Sequence, residues 1–294
     1  MPLTAHGKLQ LYGALLLLPA AVLLAAFAYL PTIMTVINSL FLPGFRGEPA
    51  AFVGVENYQV LFDDPTFWQV ARNNLLYALG TIPTSIALAL GMALFVNGKL
   101  PGRGFVRMAY FTPTILPMIA AANIWMFFYA PQIGLFNSLL ETLGFSGVNW
   151  LGDPSVALGS VIVMSVWKEA GFFMIFYLAA LQSIPPELKE AADLEGTGRW
   201  SFFWRVTFPL LMPTTLFVLI NALINAVRVV DHLFILTKGG PNNATNLLLY
   251  YVYENAFSFF DRTTAATITV VILLVLAVVA TLKFTILDRR THYQ

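Results

Sequence analysis

Six apolar runs, each long enough to cross a bilayer, decide what this chain can become. They cover residues 11–41, 68–96, 105–129, 156–184, 203–230 and 263–287. A helix needs about 20 apolar residues to span the hydrocarbon core. The expectation is an all-α, polytopic membrane protein of six transmembrane helices, with residues 1–294 forming one domain. Composition agrees: 58% of residues are apolar and 11% charged, with mean hydropathy +0.75, whereas soluble domains carry about 25% charge. The first run follows Lys8 and contains Ala26-Phe27-Ala28, which looks like a signal-peptidase site. It continues through Tyr29, Ile33 and Val36, beyond the apolar core of a signal, so it is expected to be kept as a span.

Orientation follows from basic residues in short loops. Lys8, Lys99, Arg103, Arg107, Lys189, Arg199, Arg205, Lys283, Arg289 and Arg290 all fall on one side of a six-span layout. The opposite loops hold Arg46 and Lys238, with Arg72 and Arg262 near span ends, and carry Glu48, Glu56, Asp63, Asp64, Glu141, Asp153, Glu254 and Asp261. Both termini and the 185–213 segment are therefore expected on the cytoplasmic side.

Prolines inside spans (Pro19, Pro31, Pro83, Pro113 and Pro117) each remove a helix hydrogen bond and predict kinks. The fourth run opens on Asp153-Pro154-Ser155, a capped start, and at roughly 43 Å of helix it exceeds a 30 Å core. It must tilt or project toward the 185–213 segment. Residues 131–152, with Gly, Asn and Trp150, read as a short surface-lying segment.

That 185–213 segment is a polar island between two apolar runs. Pro185 and Pro186 suit a first helical turn, and Ser183 is placed to cap it. Helix should run from Glu187 to Gly196 and Gly198, residues able to end it in the left-handed conformation. So short a helix is unstable alone in water. Leu188, Ala191, Ala192 and Glu195 share a small-residue face, which marks a docking element over 185–200.

Enzyme constellations are missing. His6, His232 and His292 are scattered, no cysteine is present, and no motif for a nucleotide phosphate or a catalytic serine occurs. A net charge of +1 gives no reason to expect nucleic acid. Gly239-Gly240-Pro241 reads as a turn. Any nucleotide that energises such a chain must be hydrolysed on another one. An ion-coupled carrier would use buried charges but should show paired broken helices in two inverted halves, and none is visible. An intramembrane enzyme would have only Lys168, Glu169, Arg228, Asp231 and His232 to work with.

Glu190-Ala191-Ala192, three residues, Gly196, nine residues and Val206-Thr207-Phe208-Pro209 resemble the EAA motif of binding-protein-dependent ABC importer permeases, whose usual ending is Ile-x-Leu-Pro. Thr237 to Pro241, with Thr245, Leu248, Tyr251, Tyr253, Ala256 and Phe257, is similar to the outer loop of the carbohydrate-uptake permeases of the maltose and glycerol-phosphate type. The resemblance implies a subunit in the cytoplasmic membrane of a bacterium or archaeon. It implies a second permease chain, two ATPase subunits that carry the ATP and Mg, and an extracytoplasmic solute-binding protein. This chain would need no cofactor. Glu190, Ala191, Ala192 and Gly196 would couple to the ATPase. The solute would be a sugar or a sugar-like compound, glycerol-3-phosphate included.

For the substrate pathway the buried polar residues are the candidates, because ionisable groups in a membrane face a cavity or a partner. Trp167, Lys168, Glu169 and Phe172 lie in the fourth run. Asn221, Asn225, Arg228 and His232 follow one helical stripe on the fifth. The resemblance places Glu169, Phe172, Ala226 and Val229 on contact positions of the family. The same residues read equally well as interhelical glue. Depth along the two helices predicts that Glu169 and Arg228 pair.

Overall fold

The computed structural model describes residues 5–44, 50–98, 101–228 and 230–286. Arg46, Glu48, Lys99, Val229, Arg289, Arg290 and His292 lie outside the described residues, as do the side chains of His6, Lys8 and Lys283. The chain falls into two compact units.

The first unit takes Met1–Asp64 and Val252–Asp288. It holds α1 (Ala5–Leu24), a π-helical turn (Ala25–Tyr29), α2 (Leu30–Asn38), a two-residue hairpin of β1 (Phe41–Leu42) and β2 (Ala51–Phe52), α3 (Glu56–Asp63) and the long α14 (Arg262–Ile286). Residues 12–34 are exposed throughout, with Leu16 81% and Phe27 79% accessible, as expected of a span that meets lipid rather than its own chain. The knot of the unit is Ser39. Its hydroxyl lies 2.6 Å from the Tyr58 hydroxyl, and its carbonyl accepts from Asn57 Nδ2 at 2.8 Å.

The second unit spans Pro65–Tyr251. Its helices are α4 (Pro65–Asn97), α5 (Arg103–Ile115), α6 (Met118–Phe128), α7 (Leu135–Thr142), α8 (Ala157–Gln182), α9 (Pro186–Leu194), α10 (Arg199–Phe202), α11 (Phe208–Arg228) and α12 (Asp231–Leu236), with α13 (Leu248–Tyr253) at the boundary. α4 and α8 form the central pair. Ala89, Ala93 and Val96 of α4 and Val161, Met164, Phe173 and Tyr177 of α8 are all fully buried along this pair. Small side chains suit it, because helices in lipid associate through close van der Waals contact rather than through water exclusion. α11 adds one face, Leu211, Val218, Ala222 and Ala226, at helical spacing.

Four helical stretches are long and apolar enough to cross a membrane: Tyr12–Asn38, Pro65–Asn97, Ala157–Gln182 and Arg199–Leu236. α5 and α6 make a fifth if counted together, but they bend by 103°. The sixth expected run falls on α14, whose apolar stretch Arg262–Val278 is shorter.

The prolines behave unequally. α4 continues through Pro83 and α1 through Pro19. π-helical turns precede Pro31 and, at Phe203–Thr207, Pro209. The wider turn moves a carbonyl out of the way of the proline ring. Only at Leu116-Pro117, both extended, does the helix break outright; the residue before a proline is pushed out of the helical region.

Two expected caps are replaced. Ser183 donates to Ala180 O within its own helix and does not cap α9. Asp153 accepts from the Ser155 backbone and hydroxyl at 2.8 and 2.7 Å, which holds its carboxyl below the usual range. α8 itself starts on the Asp153 carbonyl, which accepts from Ala157 N.

Candidate functional site

α9 is the exposed element. None of its residues is buried, and Leu194 stands 90% accessible at its end. Pro185 is extended and Pro186 opens the helix, where a missing N–H costs nothing. Its end is a Schellman motif. Thr197 N donates to Ala192 O at 2.9 Å, Gly196 N donates to Asp193 O at 3.2 Å, and Gly196 takes φ +70°. The glycine is needed because the closing residue must be left-handed. Gly198 is extended and starts α10 instead of ending α9. Glu190 and Ala191 are exposed and Ala192 half-buried, so most of the short helix faces outward.

A second constellation lies inside the bundle, where α4, α8, α11 and α12 meet. Glu169 of α8 lies close to Asn225 of α11 and within electrostatic reach of Tyr77 on α4. The Tyr77 hydroxyl donates to Ser165 Oγ at 2.8 Å, and its ring stacks on His232 at 6.0 Å between centroids. His232 is fully buried and neither ring nitrogen has a hydrogen-bond partner. Among the described residues no group of three or more His, Cys, Asp or Glu side chains is spaced to hold a metal.

The expected stripe on α11 is interrupted. Asn221 bonds to Phe217 O of its own helix, Arg228 is exposed, and His232 has turned inward on a separate helix. No ion pair joins Glu169 to Arg228 among the described residues; Asn225, three residues earlier, is the polar side chain beside the carboxylate. Ala226, a resemblance contact position, is buried in the core at 4% exposure.

Lys168 points the other way, donating from Nζ to Pro113 O at 3.1 Å and to Leu116 O. Those carbonyls are the ones left open by the α5–α6 break, so this lysine caps a helix end. Trp167 packs edge-on against Trp125 at 5.5 Å, and Phe172 against Phe176 at 5.1 Å, leaving Phe172 37% exposed.

Gly239, Gly240 and Pro241 form a turn as expected, and the segment after it is anchored to α4. Gln69 Nε2 donates to Asn242 O at 2.8 Å, and Asn73 Nδ2 to Asn243 O at 2.7 Å and Asn246 O at 3.2 Å. Sequence reasoning passed over Gln69, Asn73, Tyr77 and Leu194. The adjacent amides Asn73 and Asn74 inside an apolar run were the available signal.

Residues 82–293 match the model of the family described as binding-protein-dependent transport system inner membrane component. The chain belongs to this family. The permease is 37% identical over 253 residues to the sulfoquinovosyl glycerol transport system permease protein of Agrobacterium fabrum, covering 86% of this chain and 82% of the relative. It is 33% identical to the lactose transport system permease protein of Rhizobium radiobacter, over 97% and 98% of the two chains. Its fold is similar to that of a bacterial ABC transporter involved in the import of the acidic polysaccharide alginate, with TM-score 0.83 and 24% identity over 97% and 98% of the chains.

Proposed function

We propose that this permease is one of two related chains forming the pathway of an ATP-driven importer for a neutral sugar or sugar-like solute. It crosses the membrane six times as a single domain over 1–294, with both termini cytoplasmic. Two ATPase subunits hold ATP and Mg beneath it, and an extracytoplasmic binding protein delivers the solute. The observation that carries this reading is α9, a helix with no buried residue, tied off by the Gly196 turn and flanked by spans. Glu190, Ala191 and Ala192 would seat in an ATPase groove, with Leu194 at its rim. A helix held rigidly between spans transmits closure of the ATPase pair as a rigid-body motion.

A neutral solute is favoured because Lys168 is committed to backbone carbonyls, so the cation that would answer a phosphate ester on α8 is occupied. Glu169 with Asn225, and Asn221 one turn before it, are left to meet hydroxyls, with Trp167 and Phe172 nearby on α8. The chain has no cysteine, so Leu194→Cys introduces a unique thiol. In the assembled complex it should cross-link to the ATPase subunit. Cross-linking to the binding protein, or none, contradicts the reading. ATP hydrolysis should rise with the binding protein loaded with a neutral sugar and stay basal with glycerol-3-phosphate; the reverse result removes the neutral-solute assignment.

A further inference from the structure

At the end of α8 remote from α9 lies a cavity of about 520 Å³. The rings of Tyr129, Phe136 and Trp150 line it, together with Val156 just before α8 and Gly159 and Val163 of α8. The donors of its lining side chains are all spent. The Tyr129 hydroxyl donates to Ser160 O, Ser160 Oγ to Trp150 O, and Trp150 Nε1 to Asn137 Oδ1, each at 2.8 Å. Ser155 Oγ donates to Asp153. A solute rich in hydroxyls would find no donor there, so the cavity offers a surface of carbon.

Its position says which apolar occupant fits. Tyr129 closes α6 and Trp150 lies shortly before α8, where tyrosine and tryptophan collect at membrane interfaces. Val163, 52% exposed, extends the lining about 10 Å along α8 from Val156 toward the membrane interior. Beside the cavity, α7 is two-faced. Leu135, Leu139 and Leu143 are exposed at intervals of four, with Ile133 and Phe145 at either end, while Ser138, Glu141 and Thr142 fill the adjoining arc. Asn137 turns inward and pins the loop, accepting from Val148 N and donating to Pro131 O and Val148 O. Such a helix lies along a bilayer surface with its leucines in lipid. Phe136 of α7 and the exposed Val163 of α8 both line the cavity, so it opens on carbon from both helices.

We propose that this cavity is an acyl-chain site, occupied by one tail of a membrane phospholipid, with α7 lying at headgroup level beside it. This rests on α6 and α8 crossing the membrane as read above, but on neither the solute nor the ATPase.

The test uses the assembled transporter in dioleoylphosphatidylcholine vesicles and in vesicles of the same lipid brominated along its acyl chains, since bromine quenches a tryptophan it touches. The emission lost on Trp150→Phe isolates Trp150. That emission should fall by at least half in brominated vesicles and be untouched by aqueous acrylamide. Gly159→Leu fills the cavity, since a Cβ there meets nothing within 4 Å, and should restore the emission in brominated lipid. Quenching by acrylamide would mean a water-filled vestibule. Protection from both quenchers would mean that another protein chain covers the site. Bromine quenching unchanged in Gly159→Leu would place the lipid outside the cavity. Each of these overturns the proposal, and none depends on stimulated ATP hydrolysis.

Discussion

The Lys168 ammonium on α8 stands 3.1 Å from the carbonyl oxygen of Pro113 on α5 and holds the Leu116 carbonyl as well. A charge placed in a span by the sequence is thereby assigned to a broken helix end, where a cation also meets the negative pole of the helix dipole. Hydrogen bonds to a charged group contribute about 1.5–3 kcal/mol, and buried carbonyls left open cost a similar amount. Lys168→Met should therefore lower the stability of the detergent-solubilised permease by about 2–3 kcal/mol in denaturant unfolding. Lys168→Arg, which keeps donors and charge, should lose less. Equal stability for wild type and Lys168→Met would remove the capping role.

Gly171 lets the same two helices touch. A Cβ there would sit 2.1 Å from the Tyr110 carbonyl oxygen, a backbone atom that cannot swing aside. Gly171→Ala should cost about 1–3 kcal/mol, the usual penalty for overpacking. Gly91→Ala, where a Cβ meets nothing within 4 Å, is the control and should be neutral or slightly stabilising. Indistinguishable unfolding of the two variants would contradict the close approach of α5 and α8.

Glu169 and Asn225 should behave as a coupled pair. In a double-mutant cycle with Glu169→Gln and Asn225→Leu, the interaction energy should exceed the 0.3–0.5 kcal/mol or so seen for independent sites. The cycle of Glu169→Gln with Arg228→Gln should be additive within that margin. Coupling to Arg228 in place of Asn225 would restore the ion pair that helix depth alone suggests.

What was legible in the sequence follows the range of the interaction. The Gly196 turn closes over a few residues, so its spacing was readable from Ala191, Ala192 and the glycine alone. Four of the six expected spans, 12–38, 65–97, 157–182 and 199–236, were readable because lipid imposes length and composition locally. The partner of Glu169 was not, because Asn225 and Arg228 differ by less than one helical turn in depth, and rotation of α11 decides between them. His232 was misplaced because the stripe assumed a continuous helix, whereas α12 starts afresh at Asp231. Lys168 was legible as a buried charge, but its partner depended on a 103° bend that a proline permits without dictating its angle.

The role proposed for α9, coupling ATP hydrolysis to the pathway, is tested most directly by one substitution. Gly196→Asp places a side chain at φ +70°, where only the turn is disturbed because a Cβ meets nothing within 4 Å; such a backbone costs an L residue about 1 kcal/mol or more. The measurement is ATP hydrolysis by the reconstituted importer with solute-loaded binding protein. The variant should insert and assemble, keep basal hydrolysis, and lose the stimulated component. Full stimulation and full transport with Gly196→Asp would contradict the role assigned to α9.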